Sequence, residues 1–387
     1  MSTRLTTAAI TAALALTLAA CGGEGAGSTA GGGGASGEAA APEDLTIGVS
    51  MPTQTSERWI ADGKAVKEGL EKAGYKVDVQ FANDDIPTQT QQIDAMITAG
   101  AKLLIVAAID GTALTSQLES AAAKGIKVIS YDRLIRDSKN VDFYVSFDNY
   151  KVGVAQATAL LTGLGVTDAT GKATGKAEKG QNIELFAGSL DDNNAHFFWN
   201  GALDTLKPFM DDGTLVVKSK QTTIEQAATL RWLQATAQTR MEDLLTSTYG
   251  GKGTGLKGVL SPYDGISRGI ITALQSVGMG PTLAKGLPVV TGQDAEIASV
   301  KLIADGVQQS TIFKDTRKLA AQAVTAAQAY LSGKTPEAND TKTYNNGVKV
   351  VPSFLLEVDT VYTDNIQSLL VDSGYWTAEE VKAGVAK

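Results

Sequence analysis

"KLLIVAAIDGTALTSQLESAAAKGIKVISYD", residues 102–132, decides the fold. Its first eight residues are apolar almost without interruption. That is the pattern of a strand covered on both faces, as in a parallel sheet. "TALTSQLESAAAKG" then reads as a helix closing on a glycine, and "IKVISYD" as a second strand. Strand, helix, strand is one β-α-β unit.

The same rhythm runs outward in both directions. Upstream, "LTIGVSM" (45–51) is strand-like and "WIADGKAVKEGLEKAG" (59–74) is helical, ending at Gly74. "KVDVQFA" (76–82) alternates at period two, and "TQTQQIDAMITAG" (88–100) is helical. Downstream come strand "DFYVSFDN" (142–149), strand "NIELFAGS" (182–189) and helix "NNAHFFWNGALDTLKPFM" (193–210). Strand "TLVVKSK" (214–220) leads into one long helix, "TIEQAATLRWLQATAQTRMEDLLTS" (223–247). Three more strand–helix pairs follow, with strands at 257–264, 287–294 and 309–315. So many β-α units make two doubly wound parallel sheets the economical architecture. The length, 387 residues, suits two domains. The polar, Gly/Ala/Lys-rich stretch 166–181 reads as a surface loop.

Composition excludes several functions. The formal net charge is −8, which disfavours a polyanionic partner such as nucleic acid. The chain has one cysteine, Cys21, and one histidine, His196. No internal disulfide can form, a Cys/His zinc site cannot be assembled, and a catalytic triad would have to use His196. "SGKT" (332–335) has Gln328 where a phosphate-binding loop needs glycine, and "ATGKATGK" (169–176) lacks Ser or Thr after either lysine. The adjacent acids Asp84 and Asp85 read as caps of the following helix rather than as a glycosidase pair.

Residues 1–21, "MSTRLTTAAITAALALTLAAC", combine Arg4 with a short apolar run, as a secretory signal does. "LAAC" resembles a bacterial lipobox, which makes Cys21 the expected lipidation site. Multiple acyl chains there would hold the protein on a membrane. Residues 22–43, nearly all Gly, Ala and Ser, read as a flexible tether.

Polar and aromatic residues gather where the strands end. Arg58-Trp59 follows the first strand, Asp132-Arg133 follows "KVISY", and Asn194 follows "ELFAGSL". Asp264 follows "GVLSPY", Asp294 follows "VVTGQ", and Lys314 follows "STIF". Ligands of open α/β sheets bind at the carboxyl ends of strands. Asp110, Asp191 and Asp315 at such ends read as helix caps. The remaining set suits a pyranose: planar groups engage neighbouring hydroxyls two at a time, and a flat indole stacks on the C–H face. Trp59 or Trp232 can supply that platform. The competing reading makes Trp59 a core residue at a helix start and leaves Arg58 solvated.

The chain resembles the periplasmic sugar-binding proteins of the ribose/xylose-binding type. It is most similar to the xylose-binding and multiple-monosaccharide-binding receptors of ABC importers. "ERWIADG", "IKVISYDRLI", "FYVSFDNYKVG", "DDNNAHFF", "SPYDG", "VVTGQDAE", "STIFKDT" and "NNGVKVVPSFLL" carry the resemblance over most of residues 45–380. It implies a type I periplasmic binding protein fold, with two lobes joined by three hinge strands near 147–150, 311–314 and 350–353. The N-terminal lobe would comprise 44–149 and 315–351, the C-terminal lobe 150–314 and 352–387. The family's binding positions carry over to Arg58, Trp59, Asp132, Arg133, Asn194, Trp232, Asp294 and Lys314. Asp264 joins them as a further candidate. Xylose-specific relatives have an Asn at position 263, where this chain has a Tyr, so glucose, galactose and arabinose stay open beside xylose. The resemblance implies no enzyme activity, no cofactor and no metal. It implies a monomer that hands its sugar to a membrane ABC permease.

Three other readings compete. A receptor of this fold can serve sensing, signalling to a chemoreceptor or kinase. A glycoside-processing enzyme would release product from a glycoside. A sugar-responsive repressor shares the fold but needs a helix-turn-helix before the first lobe, where this chain has a signal and tether.

Overall fold

The computed structural model describes residues 41–386. The signal sequence, Cys21 and nearly all of the tether lie outside these residues. The first half of the chain builds strands β1 (Thr46–Met51), β2 (Lys76–Phe81), β3 (Leu103–Val106), β4 (Lys127–Tyr131) and β5 (Phe143–Phe147). Helices α1 (Glu57–Lys72), α2 (Ile86–Thr98) and α3 (Thr115–Ala123) connect the first four strands, and α4 (Asn149–Gly163) follows β5. Next come β6 (Gln181–Leu185), α5 (Asn193–Asp211), β7 (Leu215–Val217), α6 (Ile224–Ala227), α7 (Gln234–Thr248) and β8 (Leu256–Leu260). The chain continues through α8 (Asp264–Ser276), β9 (Val289–Val290), α9 (Ile297–Ala304), β10 (Thr311–Phe313) and α10 (Thr316–Leu331). It closes with β11 (Ser353–Leu356), β12 (Asp359–Val361) and α11 (Ala378–Ala383).

The N-terminal sheet has the order β11-β5-β4-β3-β1-β2, and every pairing in it is parallel. The C-terminal sheet, β7-β6-β8-β9, is parallel too. The strand β3 shows why the apolar run was decisive. Leu103 and Ile105 belong to one core, with β1, α1 and α10, while Leu104 and Val106 belong to another, with α2 and α3. Alternate side chains face opposite sides, so a strand clothed on both faces has no room for a polar residue.

The chain passes between the lobes three times: after β5, between β10 and α10, and between β11 and β12. The last passage corrects the sequence reading. β11 pairs with β5, so residues 353–356 lie in the N-terminal sheet, whereas the expected boundary gave everything after 351 to the C-terminal lobe. β12 then pairs antiparallel with β10. The crossing therefore falls near 357–358.

The helix expected over 223–247 is also corrected. α6 stops at Ala227, and α7 starts at Gln234. Between them Arg231 and Trp232 take φ of 55° and 59°, outside the helical region. The break is imposed by the end of β6: Ala187 N donates to Ala227 O, Thr229 N to Gly188 O, and Arg231 N to Ser189 Oγ.

Asp85 and Asp315 cap α2 and α10 as expected. Asp192, not Asp191, caps α5. Asp191 instead pairs with Arg231, and Asp110 closes a local turn by accepting from Thr112 N and Oγ1. Among the described residues no helix is long and apolar enough to cross a membrane, and no His/Cys/Asp/Glu cluster suits a metal ion.

Candidate ligand cleft

A cavity of about 200 Å³ lies between the lobes at the carboxyl ends of both sheets. Of the nine candidate residues, eight line it: Arg58, Trp59, Asp132, Arg133, Asn194, Trp232, Asp294 and Lys314. The ninth, Asp264, does not. It is wholly buried at the start of α8, where its carboxylate accepts from Glu296 N, Thr311 Oγ1 and Gln308 Nε2 at 2.9–3.0 Å. That side chain ties three chain segments together and leaves the cleft to its neighbour Tyr263. Burial, with Glu296 nearby, drives its carboxyl well above the usual range.

The cleft floor is a charge network. Arg58 lies on the first turn of α1, with 4 % of its surface exposed. Its Nη2 donates to Asp132 Oδ2 at 2.9 Å, and its Nε donates to Asp62 Oδ2 at 2.9 Å. Lys314, on the strand end after β10, sits 3.0 Å from Asp294 Oδ1 and 4.0 Å from Asp132 Oδ2. Two cations and three carboxylates thus share one buried floor. Burial alone would raise the Asp132 carboxyl, but Arg58 and Lys314 outweigh it and hold the group below its ordinary value. Asp62 lies deeper. Burial pushes its pKa up to about 6 despite Arg58, and Tyr131 donates to it at 2.5 Å.

Backbone conformation aims the carboxylates. Asp132 has φ 58° and Asp294 has φ 90°, values that carboxylate and amide residues tolerate better than most. Asp132 directly follows β4 and Asp294 lies four residues beyond β9, and at each the left-handed turn swings the side chain inward. Asp132 is held there by its carbonyl, which accepts from Tyr144 Oη, Ser146 Oγ and Asn194 Nδ2. Asn194 in turn accepts from Tyr144 Oη and Asn149 Nδ2.

The aromatic walls differ. Trp59 is 4 % exposed and packs in the N-terminal core, with the guanidinium carbons of Arg58 and Arg133 at 4.3 and 5.1 Å from its ring centre. It is a core residue, as the plainer reading held, yet Arg58 is buried rather than solvated. Trp232 stands in the broken segment before α7. Phe198 and Tyr263 meet its ring edge-on at 6.3 and 6.1 Å.

Sequence reasoning did not select several lining residues. Asp84 follows β2 with φ 60°, where it reads as a cap, and Asp192 is both the cap of α5 and a partner of Arg133 at 3.0 Å. Arg231, Arg268 and Gln293 also line the cavity. The lobes touch around it. Ser56 Oγ donates to Glu296 Oε1 at 2.8 Å, Ile297 N to Glu57 Oε2 at 3.1 Å, and Gly111 N to Asp191 O at 3.2 Å. The two lobes are thus hydrogen-bonded to each other around the cavity.

Comparison with known proteins gives the same picture. The chain is 52% identical over 337 residues to the multiple sugar-binding periplasmic receptor ChvE of Rhizobium radiobacter, covering 87% of this chain and 92% of that protein. It is 34% identical over 343 residues to the D-xylose-binding periplasmic protein of Escherichia coli, covering 89% and 94%. An ABC transporter solute-binding protein from Clostridium phytofermentans, crystallised with β-D-glucose, superposes with a TM-score of 0.81 at 43% identity, covering 87% of this chain and all of that one. These relatives are binding receptors, not enzymes. The periplasmic binding protein domain matches residues 47–335, and with the two parallel-sheet lobes and the cleft between them this places the chain in that family.

Proposed function

We propose that this protein binds a single aldose, glucose or a close relative such as xylose, galactose or arabinose, and delivers it to an ABC sugar importer. In this reading it works outside the cytoplasm, anchored by acyl chains on Cys21. One observation carries the sugar: the valences left over at the cleft floor. Asp132 spends Oδ2 on Arg58, and Asp294 spends Oδ1 on Lys314, so each keeps a second oxygen as an acceptor. Arg58 Nη1 and Arg133 Nη2 keep protons to donate. Acceptors and donors alternate on the floor, which is the complement of adjacent hydroxyls that each donate and accept. Trp232 supplies the apolar wall. The glucose complex of the Clostridium phytofermentans protein and the sugar-receptor relatives support the same ligand class.

The cleft performs no chemistry in this reading. A ligand bridging Arg58, Asp132 and Arg133 on one side and Asn194, Trp232 and Asp294 on the other favours the closed state, and the sugar leaves unchanged. A thermal-shift screen of the purified chain against pentoses and hexoses tests it. An aldose at a hundredfold excess over its Kd should stabilise the protein by about 2.7 kcal/mol. No stabilisation by any aldose, or stabilisation by an amino acid or nucleotide instead, would defeat the proposal.

A further inference from the structure

We propose that Gly188 is a positioning residue for the ligand: it is a glycine so that the Trp232 indole can lie flat on the end of β6 and turn its other face to the cleft. The inference deepens the sugar reading and rests on it for its affinity readout. Gly188 follows β6 and is outside the left-handed region, so its backbone does not demand glycine. Its side-chain space does. A Cβ there would stand 2.0 Å from Trp232 Cη2, 2.3 Å from Cζ2 and 2.4 Å from Cζ3. Three consecutive ring atoms at nearly equal distance put that Cβ over the ring face, not against its edge. One face of the indole is therefore seated on Gly188. Trp232 lines the cavity and Gly188 does not, so the opposite face is the one offered to a ligand.

The indole Nε1 is buried without a hydrogen-bond partner among the described residues, so the ring is placed by packing alone. The chain beneath is pinned to the same strand end, since Thr229 N donates to Gly188 O and Trp232 N to Thr229 O. A methyl group at 188 must push the indole into the cleft or tilt it away from the plane a pyranose face would meet.

Isothermal titration with glucose, on wild type, Gly188→Ala, Trp232→Ala and the double variant, tests this together with near-UV circular dichroism. Gly188→Ala should weaken binding at least about tenfold. It should cost nothing further in the Trp232→Ala background, and it should alter the near-UV signal only when Trp232 is present. The last readout needs no sugar. If wild type binds no aldose, the sugar reading fails, while the spectra still decide the seat. Binding by Gly188→Ala within twofold of wild type, or effects of the two changes that simply multiply, would overturn the proposal. Should Gly188→Ala fail to fold, Trp232→Ala should restore folding. A double variant that stays unfolded would show that Gly188 serves the backbone, and would overturn it as well.

Discussion

Ser56 and Glu296 lie 240 positions apart in sequence, on opposite lobes, and share a 2.8 Å hydrogen bond. Glu296 also accepts from Tyr263 Oη at 2.6 Å and from Arg268 Nη2 at 2.7 Å. The carboxylate is thus held from the C-terminal side by two donors and offers its remaining capacity across the cleft. Of the three bonds to Glu296, opening the lobes breaks the one from Ser56 and leaves those from Tyr263 and Arg268. Ser56→Ala should leave the melting temperature of the ligand-free protein within about a degree and speed sugar release about tenfold, the worth of one hydrogen bond to a charged group. Stopped-flow release kinetics would read this, and an unchanged off-rate would refute the role.

Asp294 and Arg58 should respond differently to truncation. Asp294→Ala removes a cleft carboxylate whose neighbours retain other partners, so the variant should fold and lose the sugar-induced thermal shift. Arg133→Ala should behave likewise. Arg58→Ala leaves Asp62 and Asp132 buried without their cation, an arrangement that costs about 3–5 kcal/mol. It should melt well below wild type even without sugar. Equal melting temperatures for all three variants would contradict the assignment of Arg58 as the keystone of the floor.

Asp264→Ala is expected to act on stability. The change strands Glu296 N–H, Thr311 Oγ1 and Gln308 Nε2 in a sealed site. Unfolding by urea should shift by several kcal/mol, since each abandoned buried group costs about 1–3 kcal/mol. A variant as stable as wild type with altered sugar preference would return Asp264 to the ligand site.

Asp62 gives a pH signature. Its folded pKa, about 6, lies above the ordinary carboxylate value of 3.8, so folding favours its protonated form. The stability linked to that proton is complete below about pH 3.8 and disappears as pH rises through 6. Asp132 is shifted the other way, and its contribution is lost only below 3.8. Between pH 7.5 and 5 wild type should therefore gain stability relative to Asp62→Asn. Parallel stability–pH curves over that interval would show that Asp62 does not titrate there.

Much of this was legible in the sequence, for definite reasons. "LLIVAAI" and its kin announce buried parallel strands because both faces of such strands are apolar, and that depends on nothing beyond the segment itself. The cleft residues Asp132, Asp294 and Lys314 were found by their place after a strand. The same rule misplaced Asp264, whose position looks identical in sequence. Its orientation is decided by Thr311 and Gln308, more than forty residues away. The break at Arg231 and Trp232 was invisible because helical periodicity runs through it, and only contacts with residues 187–189 override that tendency. β11 falls in the other lobe from the one expected because "VKVVPSFLL" is mostly apolar, and nothing local tells which sheet will accept it. Asp84 was hidden by its neighbour: Asp85 caps α2 and explains the pair without it.

The three passages between lobes make each half a mosaic of distant segments. The N-terminal sheet waits for its edge strand, β11, until residue 356 has been made. The C-terminal half waits for β12 to close on β10. A nascent chain therefore holds no finished half to lock in early, and premature termination anywhere ahead of β11 leaves two unfinished bodies. The N-terminal sheet and the β10–β12 pair both have their last strands only once residue 361 has been made.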